Sequence, residues 1–247
     1  MDPLSQGIVG SVAAQQKSSK EKILLITIIG FLSGMAPDLD VFIRSSHDPL
    51  LAIEFHRQFT HSLIFIPFGG FICGTFFYHV LTKRRGMSIK ETYLYCTLAY
   101  ASHGILDACT SYGTQLFWPF NDFRVAWNTI SIVDPIFTIT LFTLVFLSIF
   151  RRKTLFARIA LIWVITYMSI GLIQHNRAEK VGLLNADSRG HIPARIVVKP
   201  SLANLLVWKV IYEADEKYYV DAVKVGFNSK VIKGASIDKL NGRNSFP

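Results

Sequence analysis

Four short stretches of the chain carry histidines and aspartates in patterns that suit metal chemistry. They are "PDLD" with Asp38 and Asp40, "FHRQFTH" with His56, Arg57 and His61, "HGILD" with His103 and Asp107, and "VDP" with Asp134. Imidazole and carboxylate together form the usual donor set for zinc and other first-row metals, and a catalytic centre keeps one coordination position for water. A bound water then falls from a pKa of 15.7 to about 7, which supplies a hydrolytic nucleophile at neutral pH. Asp38, Asp40, His56, His61, His103 and Asp107 are therefore the expected metal ligands. Zinc is the first choice of cation, with manganese or magnesium as alternatives. Arg57 and Asp134 are the expected catalytic residues beside them. A guanidinium at position 57 suits an anionic substrate group such as phosphate, which it holds by paired hydrogen bonds.

Each pattern also has a purely structural use. Pro37 ends a helix, and two aspartates solvate the turn that follows. His56 and His61 are separated by about 140° on a helix, so they converge only if His56 stands on the entry loop. His103 and Asp107, at i and i+4, share one face and either pair with each other or reach a common cation. Asp134 precedes Pro135, which is the pattern of a helix N-cap.

The elements that must hold these groups read as membrane helices. The 247-residue chain is 51% hydrophobic and only 17% charged, outside the range of ordinary soluble domains. Its net charge of +9 comes from short Lys/Arg clusters between apolar runs rather than a basic face interleaved with aromatics, which excludes a nucleic-acid footprint. Spanning a bilayer takes about 20 mostly apolar residues. Ser62–Leu81, Ile130–Phe150 and Leu155–Gln174 meet this easily, whereas Ile89–Ala108 does so with polar residues inside it. Ile23–Ala36 is short and ends at "APDLD", and Leu4–Gln15 is too short to cross alone. The expected fold is an all-α multi-pass membrane helical bundle of about five spans plus a short N-terminal helix.

Cytoplasmic loops carry the excess of Lys and Arg. Lys17, Lys20 and Lys22, then Lys83, Arg84, Arg85 and Lys90, then Arg151, Arg152, Lys153 and Arg158 alternate correctly for one side. The opposite loops hold only Arg44, Arg57 and Arg124, so all the chemistry-bearing residues fall at the extracytoplasmic ends. Ionisable groups beside spans are costly, and a cluster of them marks a site. The start "MDPLSQGIVGSVAAQQ" has no basic region before its apolar part, so no cleaved signal peptide is expected. Cys73, Cys96 and Cys109 have no CxxC spacing and point to neither a disulfide nor a cysteine-ligated metal. From about Asn176 the chain turns polar. Val207–Tyr212 and Tyr218–Val225, split by "EADEK", read as a hairpin within a small β-rich extramembrane tail. The expected division is thus a membrane domain over 1–175 and a tail over 176–247.

The order "MDPLSQGIVG", "GMAPDLDVF", "FHRQFTHSL", "SHGILDACTSYGTQLFWPF" and "ISIVDPIFT" resembles the bacterial membrane-bound metal-dependent hydrolases, also described as LexA-regulated inner-membrane hydrolases. The resemblance runs from Met1 to about Phe150, and "KPSLANLLVWKVIYEADEKYYV" is similar to the C-terminal extension of one branch. It implies an inner-membrane location and a metal-dependent hydrolase site at Asp38, Asp40, His56, His61, His103 and Asp107. Where many members carry a histidine in the first segment, this chain has Gln6, so no ligand is expected there. The expected partners are the lipid bilayer and a small-molecule or lipid substrate, a phosphoester or lipid-like envelope compound by its chemistry. Two rivals use the same residues. A transporter would spread its ionisable groups through the membrane depth, and a membrane scaffold would hold a metal without catalysis.

Overall fold

The computed structural model describes residues 1–43, 48 and 54–239, so Arg44 and the terminal "NGRNSFP" lie outside the described residues. Two compact units divide the chain, one of Met1–Trp127 with Ile132–Tyr167, the other of Asn128–Ser131 with Met168–Pro247.

The first unit is helical. Helix α1 (Pro3–Gln15) is capped by Asp2, whose side chain accepts from the Ser5 amide, and Pro3 opens the first turn. It is a central element, with Ser5, Gln6, Ile8, Val12 and Gln15 almost wholly buried. Ser11 donates to the carbonyls of Gly7 and Thr27, and Gln15 Nε2 donates to Thr27 Oγ1 at 2.6 Å. Helix α2 (Ile23–Met35) packs along it and tightens into a 3-10 segment over Ala36–Phe42, where Pro37 interrupts the α pattern. Two short 3-10 turns, Phe59–His61 and Leu63–Phe65, lead into α3 (Ile66–Phe77). Helix α4 (Ile89–Ala108) starts on a complete Ser88/Glu91 capping box. Helices α5 (Pro135–Arg151) and α6 (Leu155–Asp187) follow.

Phe68, Phe71, Ile72 and Phe76 of α3, and Ile139, Phe142 and Phe146 of α5, are all more than half exposed. Large apolar surfaces of this kind are stable against lipid rather than water. Among the described residues, three helical stretches have the length and composition to cross a bilayer: Ile23–Phe42, Leu63–Arg85 and Leu155–Asp187. Pro135–Arg151 is apolar but shorter, while Ile89–Ala108 has 20 residues and too polar a composition. The three basic loops meet at one end of this unit. Lys22 Nζ donates to the Gly86 carbonyl at 2.8 Å, Tyr95 donates to the Lys17 carbonyl, and Gln16 donates to the Ala157 carbonyl.

The second unit holds a four-stranded antiparallel meander in the order β1 (Arg195–Pro200), β2 (Val207–Ala214), β3 (Lys217–Val225) and β4 (Ser229–Asp238). The β2–β3 turn places Asp215 and Glu216 at φ 50° and 58°, the double positive φ of a tight hairpin turn. The expected hairpin is β2–β3, and the structure adds β1 and β4 on its two edges. Helix α6 also runs past Gln174 to Asp187, where a polar tail was expected from Asn176. The reason is a stripe of buried residues, Gly171, Gln174, Ala178, Gly182 and Ala186, that keeps helical spacing through the polar sequence. A bulge at Val220/Ala222 accompanies the buried Asp221, which Arg189, Asn185 and the Gly234 amide hold.

Candidate metal centre

At the end of the first unit opposite the basic loops, four side chains turn inward from three elements. A 3-10 turn advances about 120° per residue, so Asp38 and Asp40 leave the Ala36–Phe42 segment in different directions. Asp38 faces the imidazoles of His61 and His103, while Asp40 faces the loop that carries His56. His103 and Asp107 sit one turn apart on α4, as their spacing requires. Gly104 lets the Phe59–His61 turn lie against that face, because a methyl group there would collide with the His61 carbonyl.

The ligand-type atoms form a compact cage. His61 Nε2 is 3.0 Å from His103 Nε2 and 3.4 Å from Asp38 Oδ1. His103 Nε2 is 3.3 Å from the same Asp38 oxygen. Asp107 Oδ2 lies 3.5 Å from His61 Nε2 and 3.9 Å from His103 Nε2. Donors placed 2.0–2.1 Å from a tetrahedral zinc are about 3.3–3.4 Å from one another, so the observed spacings fit such a cation. Asp107 Oδ2 is buried and makes no hydrogen bond of good geometry, its close partners being the two imidazoles and the Arg57 guanidinium at 3.1 Å. His61, His103 and Asp107 side chains are inaccessible, and Asp38, 27% exposed, forms the open side.

A second layer orients this cage. His103 Nδ1 donates to the Gly34 carbonyl at 2.6 Å, which leaves Nε2 with the lone pair facing inward. His61 Nδ1 lies 2.9 Å from Thr60 Oγ1 and 3.3 Å from Asp40 Oδ2, the carboxylate–histidine arrangement common behind metal ligands. Asp40 is otherwise fully engaged, by Thr60 Oγ1, the Arg57 amide and His56 Nδ1 at 2.7, 3.1 and 2.7 Å. Burial by itself pushes the His61 pKa down, but Asp107, Asp38 and Asp40 reverse this and carry it up to about 10. The carboxylates that draw a proton onto this imidazole are those that would draw a cation.

The geometry therefore sorts the expected residues. Asp38, His61, His103 and Asp107 form one group, and Asp38, Asp40 and His56 form a looser one at its mouth. Arg57 is held rather than free. It adopts φ 65°, its Nε sits 3.1 Å from Asp107 Oδ2, its Nη1 donates to Thr110, and Tyr112 lies under its guanidinium. Asp134 stands apart from both groups. One oxygen caps α5 through the Phe137 amide, and the other accepts from Tyr167 at 2.7 Å, so both are committed to the fold. Asp134 is thus placed as the N-cap that its "DP" pattern allows, away from the catalytic role expected of it. Gln6 supports the cage instead of entering it, donating to Asp107 Oδ1 at 2.7 Å beside the Met1 amino group. Thr60 belongs to the "HRQFTH" stretch, whereas Tyr100, which donates to the Thr60 carbonyl, has no spacing signal that could single it out.

A helical unit with lipid-type faces and a buried His/Asp cluster at one end defines a membrane protein with a candidate metal centre. The chain belongs to the family of the YdjM inner membrane protein, which matches residues 1–178. It is also similar to the inner membrane protein YbcI of Escherichia coli (strain K12), 24% identical over 154 residues, which cover 60% of this chain and 82% of that protein. No solved structure matches the chain. Every residue of the cage lies inside the family match, and the sheet lies beyond it.

Proposed function

We propose that the chain is a multi-pass inner-membrane hydrolase of about five spans, with its centre on the extracytoplasmic side and a phosphoester or lipid-like envelope substrate. One observation carries this reading: four ligand-type atoms, from two histidines and two aspartates on three elements, lie within 4.8 Å of one another. Asp38, His61, His103 and Asp107 would hold a divalent cation, zinc by donor type, which supplies Lewis acidity and an acidified water for hydrolysis.

The chain's own residues divide the remaining work. Asp40 and Thr60 fix the His61 ring, and the Gly34 carbonyl fixes His103. Arg57 holds Asp107 in place and adds positive charge beside the cage. Asp38 is the exposed member, so water and substrate approach past it. The meeting of three basic loops at the opposite end supports an extracytoplasmic centre. Clustering at one end also argues against a transport path, which would line the membrane depth.

The donor count favours a second reading. Four protein donors complete a tetrahedron, as structural zinc sites do, which would make the protein a metal-holding scaffold. Metal analysis of the purified full-length protein, combined with a phosphoester hydrolysis screen, separates the two. The hydrolase reading expects one divalent cation per chain, lost from His103→Ala and Asp107→Ala together with activity. Metal without hydrolysis of any ester supports the scaffold, and no metal above background under replete conditions removes both.

A further inference from the structure

Beside the cage, between α2 and α3, lies an apolar groove of about 610 Å³. Leu32, Met35, Leu39, Ile72 and Phe76 contribute to its walls, and Asp38 is the one charged residue lining it among the described residues. Asp38 is therefore shared: one oxygen faces the imidazoles, and the residue forms the end of the groove. The volume falls within the range of small-molecule sites, about 300–1,000 Å³. Both flanking elements, Ile23–Phe42 and Leu63–Arg85, are candidate spans, so in the membrane the groove opens onto acyl chains.

We propose that this groove receives one acyl chain of a bilayer lipid whose headgroup ester lies at Asp38 and the His61/His103/Asp107 cage. The inference rests on the hydrolase reading and gives its substrate a class: a glycerophospholipid-type amphiphile that enters sideways from the membrane. Three features select this occupant. A partner helix would call for small residues that let backbones approach, whereas Leu32, Ile72 and Phe76 form a bulky, uneven wall. A water-soluble substrate would leave those side chains without a function. The polar group sits at one end only, which matches the polarity of a lipid. From Asp38 to Leu32 the wall runs about 9 Å along the helix axis, so the tail points toward the membrane interior while the ester stays at the cage.

A second apolar groove of about 380 Å³, walled by Leu24, Ile28, Phe142 and Phe146 among others, has no charged lining residue and serves as the internal control. The test uses the full chain in phosphatidylethanolamine/phosphatidylglycerol vesicles doped with phosphatidylglycerol that carries a diazirine at a defined acyl carbon. After photolysis, adducts are mapped by peptide mass spectrometry. A diazirine near the glycerol should label Leu39, and one near the terminal methyl should label Phe76, which lines this groove and not the control. Both should exceed labelling of Leu24, Ile28 and Phe142 severalfold. Ile72→Trp, a change at an exposed position, should cut groove labelling severalfold while metal content stays constant. Equal labelling of the two grooves, loss of the depth order, or no effect of Ile72→Trp would overturn the proposal. Metal content and ester hydrolysis are measured on the same preparations. Metal and hydrolysis with an unlabelled groove sink the lipid substrate alone, whereas a labelled groove on a metal-free protein sinks the hydrolase reading and the substrate assignment with it.

Discussion

Asp38 and Asp40 are two residues apart and identical in type, yet they have different tasks. The first faces two imidazoles, and the second stands behind one of them. Replacing Asp40 with Asn should therefore weaken metal binding by about 10–100-fold without abolishing it, the usual effect of losing a supporting carboxylate. Asp107→Asn should lose the metal altogether. Competition titration with a zinc-responsive dye would distinguish the two, and equal losses would contradict the division of roles. All six expected ligands stood out in the sequence as imidazoles and carboxylates beside apolar runs, and the fold gathers them into two adjoining groups. The sequence alone could not divide them, because an i, i+4 spacing reports a shared face and not a distance. Gln6 shows the same limit. Its position lacks the histidine that the resemblance implies, and only the fold reveals that its amide reaches Asp107.

At the scale of elements, the cage depends on how closely the His61 turn lies on α4. Gly104→Ala should displace that turn and cost about 1–3 kcal/mol, as overpacking does, while reducing metal binding. A thermal-unfolding series with metal content measured in parallel would show both effects. Asp134→Ala should behave in the opposite way. Loss of the α5 cap should cost about 0.5–2 kcal/mol with metal affinity unchanged, and a metal-binding defect would return Asp134 to the site. Helices α2 to α6 were visible as apolar runs, and the hairpin as two β-rich segments around a charged turn. The 3-10 turn after Pro37, the broken entry at Phe59–Phe65 and the extension of α6 were not. Each depends on packing partners rather than local preference, as the buried small-residue stripe of α6 shows.

At the scale of the molecule, the candidate cage lies wholly in the helical unit and the sheet wholly in the other. Asp221 is 4% exposed and is held by Arg189, Asn185 and the Gly234 amide. Asp221→Ala would leave those donors without their acceptor and should cost the sheet unit about 1–3 kcal/mol. Limited proteolysis should then cut the sheet sooner while the metal content of the helical unit holds, and parallel loss of metal would show that the units are not independent. The alternation of Lys/Arg clusters was legible from the start, since it needs only counting. What the fold adds is that those clusters meet at one end of the helical unit and the cage occupies the other. On the proposed orientation, this polarity decides where the protein acquires its cation. Loading would draw on the metal pool outside the cytoplasm, where availability more than raw affinity selects the ion. A membrane-impermeant chelator should then strip the centre in right-side-out vesicles and spare it in inverted ones.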